Sequence, residues 1–148
     1  MFHFIDTSAL VKLFIDEQGS EKMLRFANVE DDRSKVVSAL AQIEARSAIC
    51  RLRQGRFISP DEAVMALETL AGEIRRILEQ PVNPPVLDAA SALIDRHDLR
   101  ALDAVQLGSA IVSRELLAAT DMRFIASDKA LLEAARKEGF DVWDPGDE

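Results

Sequence analysis

At 148 residues, 48% of them hydrophobic and only 5% aromatic, the chain has enough apolar side chains for one aliphatic core and no need of a second domain, so residues 1–148 are expected to form one unit. The formal net charge of −8 excludes a protein that grips nucleic acid through a broad basic surface, but not one whose clustered carboxylates are neutralised by divalent cations. No apolar run reaches spanning length, the amino terminus lacks the pattern of a secretory signal and Cys50 is the only cysteine, so a cytoplasmic protein with no intramolecular disulfide and no thiolate metal cluster is expected.

Phe2-His3-Phe4-Ile5 reads as a buried strand that ends in Asp6, with Thr7 and Ser8 as competing helix caps and a helical pattern over Ala9 to Phe14. Gly19 stops that helix and Ser20 caps a short amphipathic one carrying Met23, Leu24, Phe26 and Ala27, of which Met23, Leu24 and Phe26 are expected in the core rather than on a docking surface for an inhibitor. Glu30 to Ser34 is a polar loop before a short buried strand, Lys35-Val36-Val37-Ser38. Ser38 caps the next helix, which Gly55 ends, and Cys50 falls on an apolar position of it.

Ser59-Pro60-Asp61-Glu62 is a helix start with a serine cap, proline in the first turn and acids at the positive end of the dipole; the helix should run to about Leu78. Pro81 to Pro85 breaks the chain, with a short strand expected about Val82, and Val86, Leu87, Ala90, Leu93 and Ile94 mark another helix. After His97 to Arg100 comes a long, mostly apolar helix from Ala101 to Leu117. Arg123 to Ala126 is a strand, Ser127 or Asp128 caps a helix through Lys137, Gly139 to Trp143 is an edge strand, and a loose tail is expected from about Asp144. Strands separated by helices imply a parallel sheet covered on both faces.

Four acids fit one edge of that sheet. Asp6 and Asp128 stand where a strand passes into a helix, which in a parallel sheet is the carboxyl edge, where open α/β sheets bind ligands. Glu44 and Asp103 each lie near the start of a helix facing that edge. Glu44 has Leu40, Ala41, Ser47 and Ala48 one turn away and no cation among them, unlike an ordinary surface glutamate. The plain alternatives are a rotated helix for Glu44, a dipole role for Asp103 and capping for Asp6 and Asp128. Four like charges in one pocket need compensation, and a hard dication with oxygen ligands, magnesium or manganese, supplies it. Two distant histidines and one apolar-site cysteine offer nothing for zinc. Arg46, Arg51, Arg53 and Arg56 form a local basic strip that reads either as a phosphate contact or as a solvated helix face.

Ile5-Asp6-Thr7-Ser8-Ala9-Leu10-Val11-Lys12, Ile43-Glu44-Ala45-Arg46, Leu99 to Leu107 around Asp103, and Ile125-Ala126-Ser127-Asp128-Lys129-Ala130-Leu131-Leu132 resemble, over essentially the whole chain, the PIN-domain nucleases, and among them the VapC toxins of toxin–antitoxin pairs. The resemblance implies a three-layer α/β/α domain with a parallel sheet of four or five strands. It implies that Asp6, Glu44, Asp103 and Asp128 form a catalytic metal site supported by the hydroxyl of Thr7 or Ser8. It also implies an endoribonuclease that cleaves RNA with magnesium or manganese, forms a homodimer and is inhibited by an antitoxin protein. Metal-assisted phosphodiester hydrolysis with one or two cations follows, Asp6 and Asp103 being the main ligands, Glu44 a ligand or water-orienting group, and Asp128 an outer ligand.

Two rivals stand beside this. A magnesium phosphatase also places an aspartate after its first strand, but usually carries a second two residues on, where this chain has Ser8. A non-catalytic module of the same fold would bind its partner through the apolar helices between Leu10 and Phe26.

Overall fold

A computed structural model describes residues 1–147. Five strands, β1 (Phe2–Ile5), β2 (Lys35–Ser38), β3 (Leu78–Gln80), β4 (Met122–Ile125) and β5 (Asp141–Trp143), form one sheet in the order β3-β2-β1-β4-β5. Every pairing is parallel; Phe4 lies opposite Val36 on one side and Phe124 on the other. The helices are α1 (Thr7–Leu10), α2 (Ser20–Val29), α3 (Ala41–Gln54), α4 (Pro60–Ile74), α5 (Pro84–Arg96), α6 (Ala101–Leu116) and α7 (Lys129–Lys137).

The two-residue period of the strands divides the core into two layers. Phe4, Val36 and Phe124 point to one face and pack with α5, α6 and α7 through Leu93, Leu107 and Leu131, and with Phe140 from the turn after α7. Ile5, Val37 and Ile125 point to the other and pack with α1 to α4 through Leu10, Met23, Ile49 and Leu70. The result is the three-layer α/β/α arrangement with helices on both faces of the sheet. At Gly108 α5 and α6 meet closely: a Cβ there would lie 3.0 Å from Val86 O and 3.1 Å from Ala90 N.

Local signals set most boundaries. Ser59 and Glu62 form a reciprocal capping box with Pro60 in the first turn. Asn83 caps α5, and Gly55 follows α3.

Several expectations are corrected. Helix α4 stops at Ile74 rather than Leu78, and the third strand is Leu78–Gln80 rather than a segment about Val82, because these residues pair with Val36–Ser38. The segment after β1 is helical from Thr7 and tightens to a 3-10 turn at Val11–Leu13. Gly19, at φ 92°, caps α2 in place of Ser20, whose hydroxyl instead bonds Ile15 O and Glu17 N, both at 2.9 Å. Leu24 and Cys50 are not core residues: Leu24 is exposed and Cys50 half-buried.

In the segment expected as a loose tail, Asp144–Asp147 lie against the turn around Gly19, while Glu148 lies outside the described residues. Pro145 is buried, and Gln18 Nε2 donates to Gly146 O at 2.6 Å. The backbone of Pro145 passes so close to Gly19 that a Cβ there would meet Pro145 O at 2.6 Å.

Candidate active site

Asp6 directly follows β1. Its extended backbone ends the strand, and its Oδ2 caps α1 by accepting hydrogen bonds from Ser8 N at 3.1 Å and Ser8 Oγ at 2.5 Å. Asp128 repeats the arrangement after β4, its Oδ1 accepting from Leu131 N at 3.0 Å at the start of α7. The capping roles read from the sequence are therefore real, and each uses one carboxylate oxygen. β1 and β4 are adjacent, and the chain builds the sheet outward from them in opposite directions, so the two aspartates flank the topological switch point.

Glu44 comes from the first turn of α3 and Asp103 from the first turn of α6. Gln106 Nε2 donates to Glu44 Oε1 at 2.7 Å and to Thr7 Oγ1 at 3.2 Å, while Thr7 Oγ1 donates to the same Glu44 oxygen at 3.4 Å. This triangle joins α1, α3 and α6. Both hydroxyls expected to support the site lie against acids, Thr7 against Glu44 and Ser8 against Asp6.

The acids feel one another. Burial pushes the Asp6 carboxyl up to about 6, the charges of Glu44 and Asp103 add to this, and the Ser8 hydrogen bonds oppose it. Glu44 is raised by burial and by Asp103, against the hydrogen bonds from Gln106 and Thr7. Asp103 is raised by burial and by Asp128, with Arg100 pulling the other way. Compensation is slight: Arg100 Nε stands 3.8 Å from Asp103 Oδ2, and among the described residues no lysine or arginine pairs with Asp6, Glu44 or Asp128.

Four carboxylates with little cationic compensation and two hydroxyls are oxygen donors only, the chemistry that suits Mg2+ or Mn2+ rather than a softer metal. Among the described residues no group of three or more His, Cys, Asp or Glu is spaced to hold a metal as it stands.

Two polar residues at this edge escape a reading of the sequence. Gln106 lies three residues after Asp103 in α6, a spacing that puts both on one helix face. Asp144 follows β5 as Asp6 follows β1 and Asp128 nearly follows β4, which is the signal that could have found it; its Oδ1 accepts from Ser127 Oγ at 2.7 Å and Gly146 N at 2.8 Å. Arg46, Arg51, Arg53 and Arg56 are all exposed, and none pairs with a carboxylate among the described residues. Arg51 borders a cleft of about 330 Å³ lined by Val11, Ile15, Ala48, Leu52 and Phe57.

The model of the PIN domain matches residues 3–136, and the chain belongs to that family. No curated relative matches it significantly. Among solved structures it is similar to a toxin–antitoxin complex from Klebsiella pneumoniae (14% identity, TM-score 0.67, 97% of each chain covered). It is similar to FitAcB from Neisseria gonorrhoeae (15%, 0.63, covering 97% of this chain and 98% of that one). A third is VapC20 of Mycobacterium tuberculosis, described as a sarcin-ricin loop cleaving toxin (18%, 0.63, covering 93% and 95%). Identities this low make these likenesses of fold. No helix among the described residues is long and apolar enough to cross a membrane.

Proposed function

We propose that the chain is a metal-dependent endoribonuclease and the toxin of a toxin–antitoxin pair. The observation that carries this is the meeting of Asp6, Glu44, Asp103 and Asp128 at the switch point of a PIN-domain sheet, coupled in charge and almost without cationic side chains. The toxin reading draws on the solved structures of similar fold, one described as a toxin–antitoxin complex and one as an RNA-loop-cleaving toxin.

Bound Mg2+ or Mn2+ would supply a water of lowered pKa and stabilise charge on the leaving oxygen. Asp6 and Asp103 would hold the cation, with Asp128 as an outer ligand. Glu44 would be a further ligand or the group that orients the attacking water. Ser8 fixes Asp6, and Thr7 fixes Glu44. The unpaired arginines of α3 and the turn after it offer phosphate contacts that the net charge of −8 does not otherwise provide. The protein works as a cytoplasmic homodimer whose activity is held in check by an antitoxin protein.

Labelled RNA incubated with the protein and Mg2+ tests the reading. Cleavage should be abolished by chelator and by Asp6→Asn; equal cleavage by the two proteins would remove the assignment. That no three of the described acids are yet spaced to hold a metal favours one rival, a non-catalytic binding module. That rival requires no change in thermal midpoint with Mn2+.

A further inference from the structure

We propose that Gln106 is a positioning residue that sets the orientation of Glu44, an inference that rests on the nuclease reading of the acidic edge. Gln106 is 1% exposed, in the second turn of α6. Its amide nitrogen reaches both Glu44 Oε1, at 2.7 Å, and Thr7 Oγ1, at 3.2 Å. An ionised carboxylate only accepts hydrogen bonds, so the amide must present nitrogen rather than oxygen to Glu44.

That choice leaves Gln106 Oε1 buried without a hydrogen-bond donor. Side chains that serve packing do not need such an atom: leucine or methionine would fill the space with no orphaned oxygen. The orphan is explained if the other end of the amide has work to do. With Oε1 of Glu44 held by Gln106 and Thr7, Oε2 is the oxygen left for the edge shared with Asp6 and Asp103. Gln106 and Asp103 share α6, so the same helix that places one acid orients another.

The test uses the full chain and Gln106→Met, which keeps the length of the side chain and removes the donor. The variant should unfold at or above the wild-type midpoint. Its Mn2+ dissociation constant by calorimetry should rise, and kcat for chelator-sensitive RNA cleavage should fall, each by about 10- to 100-fold, with KM for RNA unchanged. In a Glu44→Ala background Gln106→Met should leave Mn2+ binding unaltered, because one residue acts through the other.

A packing role alone would leave the Mn2+ constant and kcat at wild-type values, whatever the midpoint; that result overturns positioning while the nuclease reading stands. A wild-type protein that neither binds Mn2+ nor cleaves RNA removes both. Should Gln106→Met fail to fold, the side-chain amide resonances of Gln106 in metal-free wild-type protein decide the matter. They should move on Glu44→Ala, and unmoved resonances refute the contact.

Discussion

Ser8 and Ser127 are joined by a 2.9 Å hydrogen bond from the backbone N–H of Ser127 to the hydroxyl oxygen of Ser8. The same hydroxyl donates to Asp6 Oδ2. One small side chain thus links the acid that follows β1 to the loop that carries Asp128, across the seam where the two halves of the sheet meet.

Replacing Ser8 by alanine should therefore loosen both sides of the seam. Losing the pair of hydrogen bonds is expected to lower unfolding free energy by about 1–3 kcal/mol in a urea titration. Cleavage of RNA should weaken more than this loss of stability explains, since Asp6 loses a donor that holds its carboxylate in place. Unchanged stability and activity would contradict the link.

Asp6 predicts a loss of stability toward alkaline pH in metal-free protein. Its carboxyl, at about 6 in the fold against an ordinary 3.8, keeps its proton in the native state where the unfolded chain has lost it. Native stability from this group is complete below the ordinary value and disappears as pH rises through about 6. The deficit at neutral pH is on the order of 3 kcal/mol. Asp6→Asn should raise the midpoint of metal-free protein at pH 7.5 while abolishing cleavage, and flatten the profile between pH 4 and 7.

Glu138 predicts the opposite slope on the acid side. Burial works against its charge, but Arg96 and His97, both 2.8 Å away, hold the carboxyl below its usual range. The clamp is strongest above the unfolded carboxylate value and is lost as pH falls through the depressed one. Glu138→Gln should lower stability at pH 7 and reduce acid sensitivity, measured by thermal melts from pH 3 to 7.

Added Mn2+ should raise the midpoint of the wild-type protein at pH 7.5. At 100 times the dissociation constant the gain is about 2.7 kcal/mol, or ~5–10 °C for a chain of this size. Asp103→Asn should remove most of the shift without unfolding the protein, because Asp103 is only half-buried and its one ionic partner is the distant Arg100.

The parts of the fold legible in the sequence are those fixed by neighbours in the chain. The capping box at Ser59, the stop at Gly55 and the apolar run into Asp6 each rest on a few consecutive residues. Strand Leu78–Gln80 was hidden because nothing between Arg75 and Gln80 breaks a helix; pairing with β2 decides it. The same division runs through the site. Asp6 and Asp128 announce themselves at strand ends, whereas Gln106 gains its role only when α6 packs beside Thr7 and Glu44, residues 99 and 62 positions away.

Helix α6 holds more than Asp103 and Gln106. At its other end Ser113 donates to Gln80 Oε1 at 3.0 Å, and the Arg114 guanidinium lies 4.0 Å from the centre of the Phe140 ring while Nη1 donates to Glu138 O at 3.1 Å. Sixteen helical residues make a strut about 24 Å long, pinned at the far end to the last residue of β3 and to the turn that precedes β5, and wedged midway at Gly108. Replacing Arg114 would therefore free the far end of the same helix whose first two turns carry Asp103 and Gln106.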